Sequence, residues 1–197
     1  MKRLFLFLMM FAACFTMANA QDKAGVTTIY PRVGLCLSKY SGDKLYYGFE
    51  MDDYVNARMK SGFTAGVEVE HMFTDIFGAS AGIMFAQQGT KYEELPEEEF
   101  EHLSIDLNYI NIPVLFVAST NIGINIKAGI QPGIRLGDKF NQVMDRVYFS
   151  IPLGVSYDIG QFSLDVRYNL GISKVWKGDG KIRNNTIMLT LGYGIEL

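Results

Sequence analysis

Cysteine, histidine and tryptophan are scarce in this chain: two, two and one among 197 residues. One cysteine, Cys14, falls in an N-terminal stretch that reads as an export leader. The mature chain then keeps only Cys36, and no disulfide forms within a monomer. Two histidines and no clustered cysteine give no zinc site, so neither metal nor cofactor is expected. A basic excess is missing as well. Without Lys2 and Arg3, 16 basic residues face 21 acidic ones, and the net charge of about −5 argues against nucleic acid as a partner. Beyond the leader, no apolar run reaches the roughly 20 residues of a transmembrane helix. Linkers, low-complexity tracts and helical heptads are absent too, so one domain is expected.

The leader has three parts. Lys2 and Arg3 form a basic start, Leu4–Ala13 an apolar stretch, and Ala18-Asn19-Ala20 a small-x-small cleavage site before Gln21. Phe11-Ala-Ala-Cys14 is a rival lipidation site, but phenylalanine fits poorly where such sites want an aliphatic residue. The expected division is residues 1–20 as signal peptide and 21–197 as one domain.

What is abundant is alternation. Along Phe162–Ser173 the even positions are Phe, Leu, Val, Tyr, Leu and Ile, and the odd ones Ser, Asp, Arg, Asn, Gly and Ser. A two-residue period places one face in an apolar medium and the other in a polar one. Eight such strands are predicted, near Ile29–Tyr40, Gly62–Phe73, Phe77–Thr90, Leu103–Val117, Ile122–Arg135, Val147–Ile159, Phe162–Val175 and Thr186–Leu197. Most are long enough to cross a bilayer at a slant. Short connections (Thr74–Ile76, Ala118–Asn121, Gly160–Gln161) alternate with long ones (Ser41–Ser61, Lys91–His102, Leu136–Arg146, Trp176–Asn185). Short periplasmic turns, long outer loops and an even strand count describe an eight-stranded antiparallel up-and-down barrel in the outer membrane.

A soluble barrel would carry its apolar face inside. Glycine on the polar phase and aromatics at both strand ends favour lipid outside. Phe73, Phe77, Phe116, Tyr157 and Phe162 lie by the short turns, and Phe63, Phe85, Phe149 and Trp176 by the long loops. Within Leu103–Val117 the apolar phase shifts from odd to even positions. A bulge near Tyr109-Ile110 would return both halves to the outer face.

Several segments resemble the PorT-like family of outer-membrane β-barrel proteins from Bacteroidota, small barrels of the OmpA/OmpX kind. Tyr109-Ile-Asn-Ile-Pro-Val-Leu-Phe116 is similar to that family's Tyr-x-x-Ile-Pro-Leu-Leu strand, and Ala128-Gly-Ile-Gln-Pro-Gly133 to its next strand. Phe162–Gly171 and Asn185–Gly194 resemble its last two strands, although this chain ends in Leu197 where the family usually ends in Phe. The resemblance covers the C-terminal half closely and the N-terminal half in layout. It implies a barrel and an outer-membrane location rather than an activity.

The most informative candidate site is the lumen. Arg32, Glu68, Glu70, Asp106, Lys127, Arg135, Asp158, Asp165, Arg167 and Glu196 all fall on the polar phase. Eight strands enclose only room for side chains, so these charges are expected to pair into a plug. Catalytic signals are thin. His102, Ser104 and Asp106 share a strand face, but same-face neighbours stand about 7 Å apart, beyond the contact a nucleophile set needs. His71 reads as an interfacial side chain. The acidic run Glu93–Glu101 lacks the spaced pattern of a calcium loop. The leading expectation is a non-enzymatic scaffold whose long loops, rich in Tyr46, Tyr47, Phe49 and Tyr54, contact an extracellular or envelope protein or glycan. Its other partners would be outer-membrane lipid and, during insertion, the barrel-assembly machinery. An accessory of a type IX-like secretion or envelope-assembly system is the alternative that the resemblance suggests. An outer-membrane enzyme is a third.

Overall fold

The computed structural model describes residues 23–41, 45–46, 54–93, 103–137, 145–175 and 182–197. The proposed leader, Tyr47, Phe49, His102, Trp176 and most of the acidic run lie outside them. The described strands are β1 (Thr27–Ser41), β2 (Leu45–Tyr46), β3 (Tyr54–Arg58), β4 (Lys60–Met72), β5 (Phe77–Glu93), β6 (Leu103–Asn111), β7 (Val114–Ser119), β8 (Ile124–Leu136), β9 (Val147–Ile159), β10 (Phe162–Gly171), β11 (Arg183–Tyr193) and β12 (Ile195–Glu196). They make eight walls, because β6 and β7 are one strand interrupted at Ile112-Pro113, and β11 and β12 are one interrupted at Gly194. Short β2 and β3 extend the outer end.

Every wall pairs antiparallel with its sequence neighbour, and β1 closes the ring on β11 and β12. Closure leaves no edge, which backbone in lipid requires. The alternation sorts the side chains as the period demands. In β10 Phe162, Leu164, Val166, Tyr168 and Leu170 face out, while Ser163, Asp165, Arg167 and Asn169 are buried. Leu35, Ile83 and Ile130 are each about 60% exposed (61%, 61% and 60%), a cost in water and an asset against acyl chains. Tilted and edge-on aromatic pairs, Phe77–Phe116 and Phe162–Tyr193, line the short-turn end.

The short turns are built by their own side chains. Thr74 Oγ1 accepts the Ile76 and Phe77 N–H groups, and Asp75 Oδ1 accepts those of Lys23 and Ala24, tying the N-terminal approach to the rim. Gly160 has φ of 59°, a left-handed conformation that makes the turn from β9 into β10 as short as it is.

One expectation is corrected. No bulge lies near Tyr109: the partners Tyr109↔Ala86 and Val114↔Ala81 belong to one continuous register, as do Tyr109↔Arg135 and Val114↔Ile130. Odd residues face inward throughout, so Leu107 and Tyr109 are buried in the lumen, and Asp106 and Asn108 face outward. The apolar phase shift therefore marks a change of surroundings. Below Ile110 the wall borders lipid; above it, the strand packs an apolar cap inside the barrel.

Candidate functional site in the barrel lumen

The largest fully buried side chains include Arg32, Arg135, Lys127, Gln88, Gln131 and Glu68. This is an interior filled with groups that soluble proteins keep outside. Six charged residues of the lumen, Arg32, Glu68, Glu70, Lys127, Asp165 and Arg167, form one ion-paired set. Glu68 on β4 accepts from Lys127 on β8 at 3.1 Å and from Arg167 on β10 at 3.0 Å, and its other neighbour Arg32 on β1 lies at 3.8 Å. Lys127 also donates to Glu70 at 2.6 Å, and Arg167 to Asp165 at 3.0 Å. Three cations therefore meet three carboxylates, and the set is neutral. Lys127–Glu68, Lys127–Glu70 and Arg167–Glu68 run across the barrel, whereas Arg32–Glu68 joins neighbouring walls and Arg167–Asp165 lies within β10. Arg32 adds a donor to Ser163 Oγ at 3.4 Å and lies over the Tyr30 ring at 4.9 Å, with Lys127 at 5.8 Å from the same ring.

Glycine and serine make room for these long side chains. Arg32 stands between Gly66 and Gly192, Glu68 beside Gly82, and Gly154 separates Lys127 from Arg167. A Cβ on Gly192 would approach Arg32 Cγ to 3.1 Å, and one on Gly154 would approach Arg167 Cγ to 3.3 Å. Ser80 flanks Glu70, and Ser156 flanks Asp165.

Of the other four sequence candidates, none joins this set. Arg135 is buried in the outer half opposite Tyr109. Asp158 lines the inner mouth, where it accepts from Asn125 Nδ2 at 2.7 Å. Glu196 is exposed on the inner rim because it lies at the end of the last strand, past the enclosed section. Asp106 faces outward, for the register reason given above, and pairs with Lys60. The side chain of Ser104 and the whole of His102 lie outside the described residues. His71 sits at the interface, its Nδ1 2.8 Å from Thr27 Oγ1 and its ring edge-on to Phe73. Cys36 is buried beside Ala86 and Met188, with its thiol donating to Gln87 O.

The two ends differ. Toward the long loops, Tyr40, Leu107, Tyr109, Tyr148, Val175 and Ile182 form an apolar cap. Tyr109 and Tyr148 meet edge-on at 4.9 Å, and Tyr148 Oη donates to Asn111 Oδ1 at 2.6 Å. Toward the short turns, a cavity of about 820 Å³ opens, floored by Tyr30 and Glu70 and walled by Thr28, Ser119 and Asp158. Neither Tyr30 nor the cap was singled out from sequence. Both were visible as large rings or aliphatics on a phase otherwise polar.

A closed barrel with an apolar belt, an aromatic rim at its short-turn end and a charged interior defines a small integral outer-membrane protein. The chain belongs to the outer membrane protein beta-barrel domain family, whose model matches residues 19–177. No curated protein matches it in sequence. Among solved structures it is similar to the outer membrane protein OprG of Pseudomonas aeruginosa, at 16% identity and a TM-score of 0.52, over 88% of this chain and 97% of that one. Ail, the attachment invasion locus protein of Yersinia pestis, is similar at 21% identity and a TM-score of 0.46, over 87% and 99%. Neisserial surface protein A is similar at 15% identity and a TM-score of 0.47, over 84% and 96%.

Proposed function

We propose that this chain is a plugged outer-membrane scaffold that displays its long loops to extracellular or envelope molecules and catalyses no reaction. The observation that carries this reading is the neutral ion-paired set spanning the lumen beneath an apolar cap. Paired charges and edge-on tyrosine rings fill the space a solute would need. The barrel takes no metal or cofactor, and its loop partner is a protein or glycan. The motifs around Ile112-Pro113 and in β8, β10 and β11 support a place among the PorT-like barrels, with residues 1–20 as a removed leader and 21–197 as the inserted domain. Planar-bilayer recording of the refolded protein tests the plug. No steady conductance is expected, and a stable open channel would return the porin reading.

A further inference from the structure

Cations collect on one half of the outer end, among walls β9, β10, β11 and β1. Lys39 and Arg183 face outward on adjacent strands, and the partners Lys39↔Asn185 and Ser41↔Arg183 make them diagonal neighbours, about 7–8 Å apart. The Val175 N–H donates to Ile182 O, which sets Lys174 beside Arg183. The Asp145 N–H donates to Val175 O and brings Arg146 alongside Lys174. All four cations are exposed. Among the described residues, none of them has a carboxylate partner. Directly beneath them the apolar belt begins, with Leu37, Ile172 and Val147 each 41–47% exposed (41%, 47% and 46%).

The opposite half differs. Its exposed residues at the same end include one cation, Arg58, among Met59, Asp106, Asn108 and Leu136. The short-turn rim carries Asp75, Asp158 and Glu196 with a single described lysine, Lys23. The cationic strip is therefore a local feature rather than a ring of solvating charge. Asp145 adjoins Arg146, but the cations of the strip outnumber it, and like charges in excess repel one another unless a further anion lies among them. Their height, one residue or so above the acyl level, is where a lipid headgroup stands.

We propose that this strip binds the phosphates of an anionic glycolipid in the outer leaflet, with the acyl chains of that lipid laid along Leu37, Ile172 and Val147. The proposal rests on the outer-membrane reading above but not on the plug. The ligand is a phosphorylated glucosamine lipid of the lipid A type. A free phosphate would meet the same cations without the apolar contact.

The test is native mass spectrometry of the detergent-refolded chain with diphosphoryl lipid A, dephosphorylated lipid A or inorganic pyrophosphate. Diphosphoryl lipid A is expected to bind. Its affinity should fall on the order of a hundredfold in the triple variant Lys39→Ala/Lys174→Ala/Arg183→Ala. Lys39→Arg/Lys174→Arg should retain binding, and Arg58→Ala, on another wall, should leave it unchanged. Heat-modifiable migration reports folding, and the single variant Arg183→Ala, expected to lose about fivefold, serves if the triple variant does not fold. Undiminished binding by the variants, equal binding of dephosphorylated lipid A, or a comparable loss in Arg58→Ala would overturn the proposal. Pyrophosphate bound as tightly as the lipid would also overturn it. A barrel that binds the lipid yet conducts ions would end the plug and leave the strip standing.

Discussion

At the scale of single residues, the lumen is held by reciprocity. Glu68 serves Lys127, Arg167 and Arg32 together, and each of those cations was taken out of bulk water to meet it. Losing one member leaves its partners charged and uncompensated in a confined space. Arg167→Leu strips a partner from both Glu68 and Asp165. It is expected to cost about 3–5 kcal/mol, because the set is buried, against the at most about 1 kcal/mol of a solvated surface pair. Urea unfolding in lipid vesicles measures the difference, and a loss at the surface value would show that water reaches the pairs. The polar phase marked the six network residues in the sequence, and the narrow ring made Glu68, Glu70 and Lys127 the cross-barrel candidates for Asp165 and Arg167, but the individual pairs were not legible there. Which carboxylate meets which cation depends on tilt and register around the ring. So does the placing of Gly192 and Gly154 against Arg32 and Arg167.

At the scale of elements, strand identity was open to reading because a half-buried wall repeats every two residues. All eight walls were legible, and so were the short turns at Thr74–Ile76 and Gly160-Gln161. The fourth wall misled because its outer portion no longer borders lipid. There Leu107 and Tyr109 gain more by packing on Tyr148 and Tyr40 inside than by facing out. The register can be checked directly. With Cys36 replaced, a cysteine at Asn108 is expected to react with a soluble maleimide and one at Leu107 to be protected; the reverse pattern would restore the bulge. Closure gives a second check. Deleting Leu191–Leu197 removes the partners of Ile29, Arg32 and Val33 and exposes β1 backbone to lipid. Loss of the folded, heat-modifiable form is expected. Leu197→Phe should be neutral or helpful, since the contact it makes here, N–H to Thr27 O, is backbone.

At the scale of the whole molecule, orientation follows from the asymmetry of its connections. In intact cells a single cysteine at Met59 is expected to react with an impermeant reagent, while one at Thr74 is not. Equal labelling of both would overturn the topology. Function was the least legible level. Alternation reports what surrounds a wall, and the family match reports the same fold, but a loop's partner is chosen by loop residues that no periodicity constrains.

The origin of the buried charges on separate walls constrains how the barrel comes into being. Lys127 on β8 finds its counter-ions on β4, and Arg167 on β10 finds one of its two there. A hairpin that entered the bilayer alone would carry a naked ammonium or guanidinium into hydrocarbon. Neutrality exists only once distant walls face each other, so the nascent ribbon must keep that side wet until it curls shut. Insertion and closure are then a single event, and dissolving the finished barrel means rehydrating every one of those charges before any strand can leave.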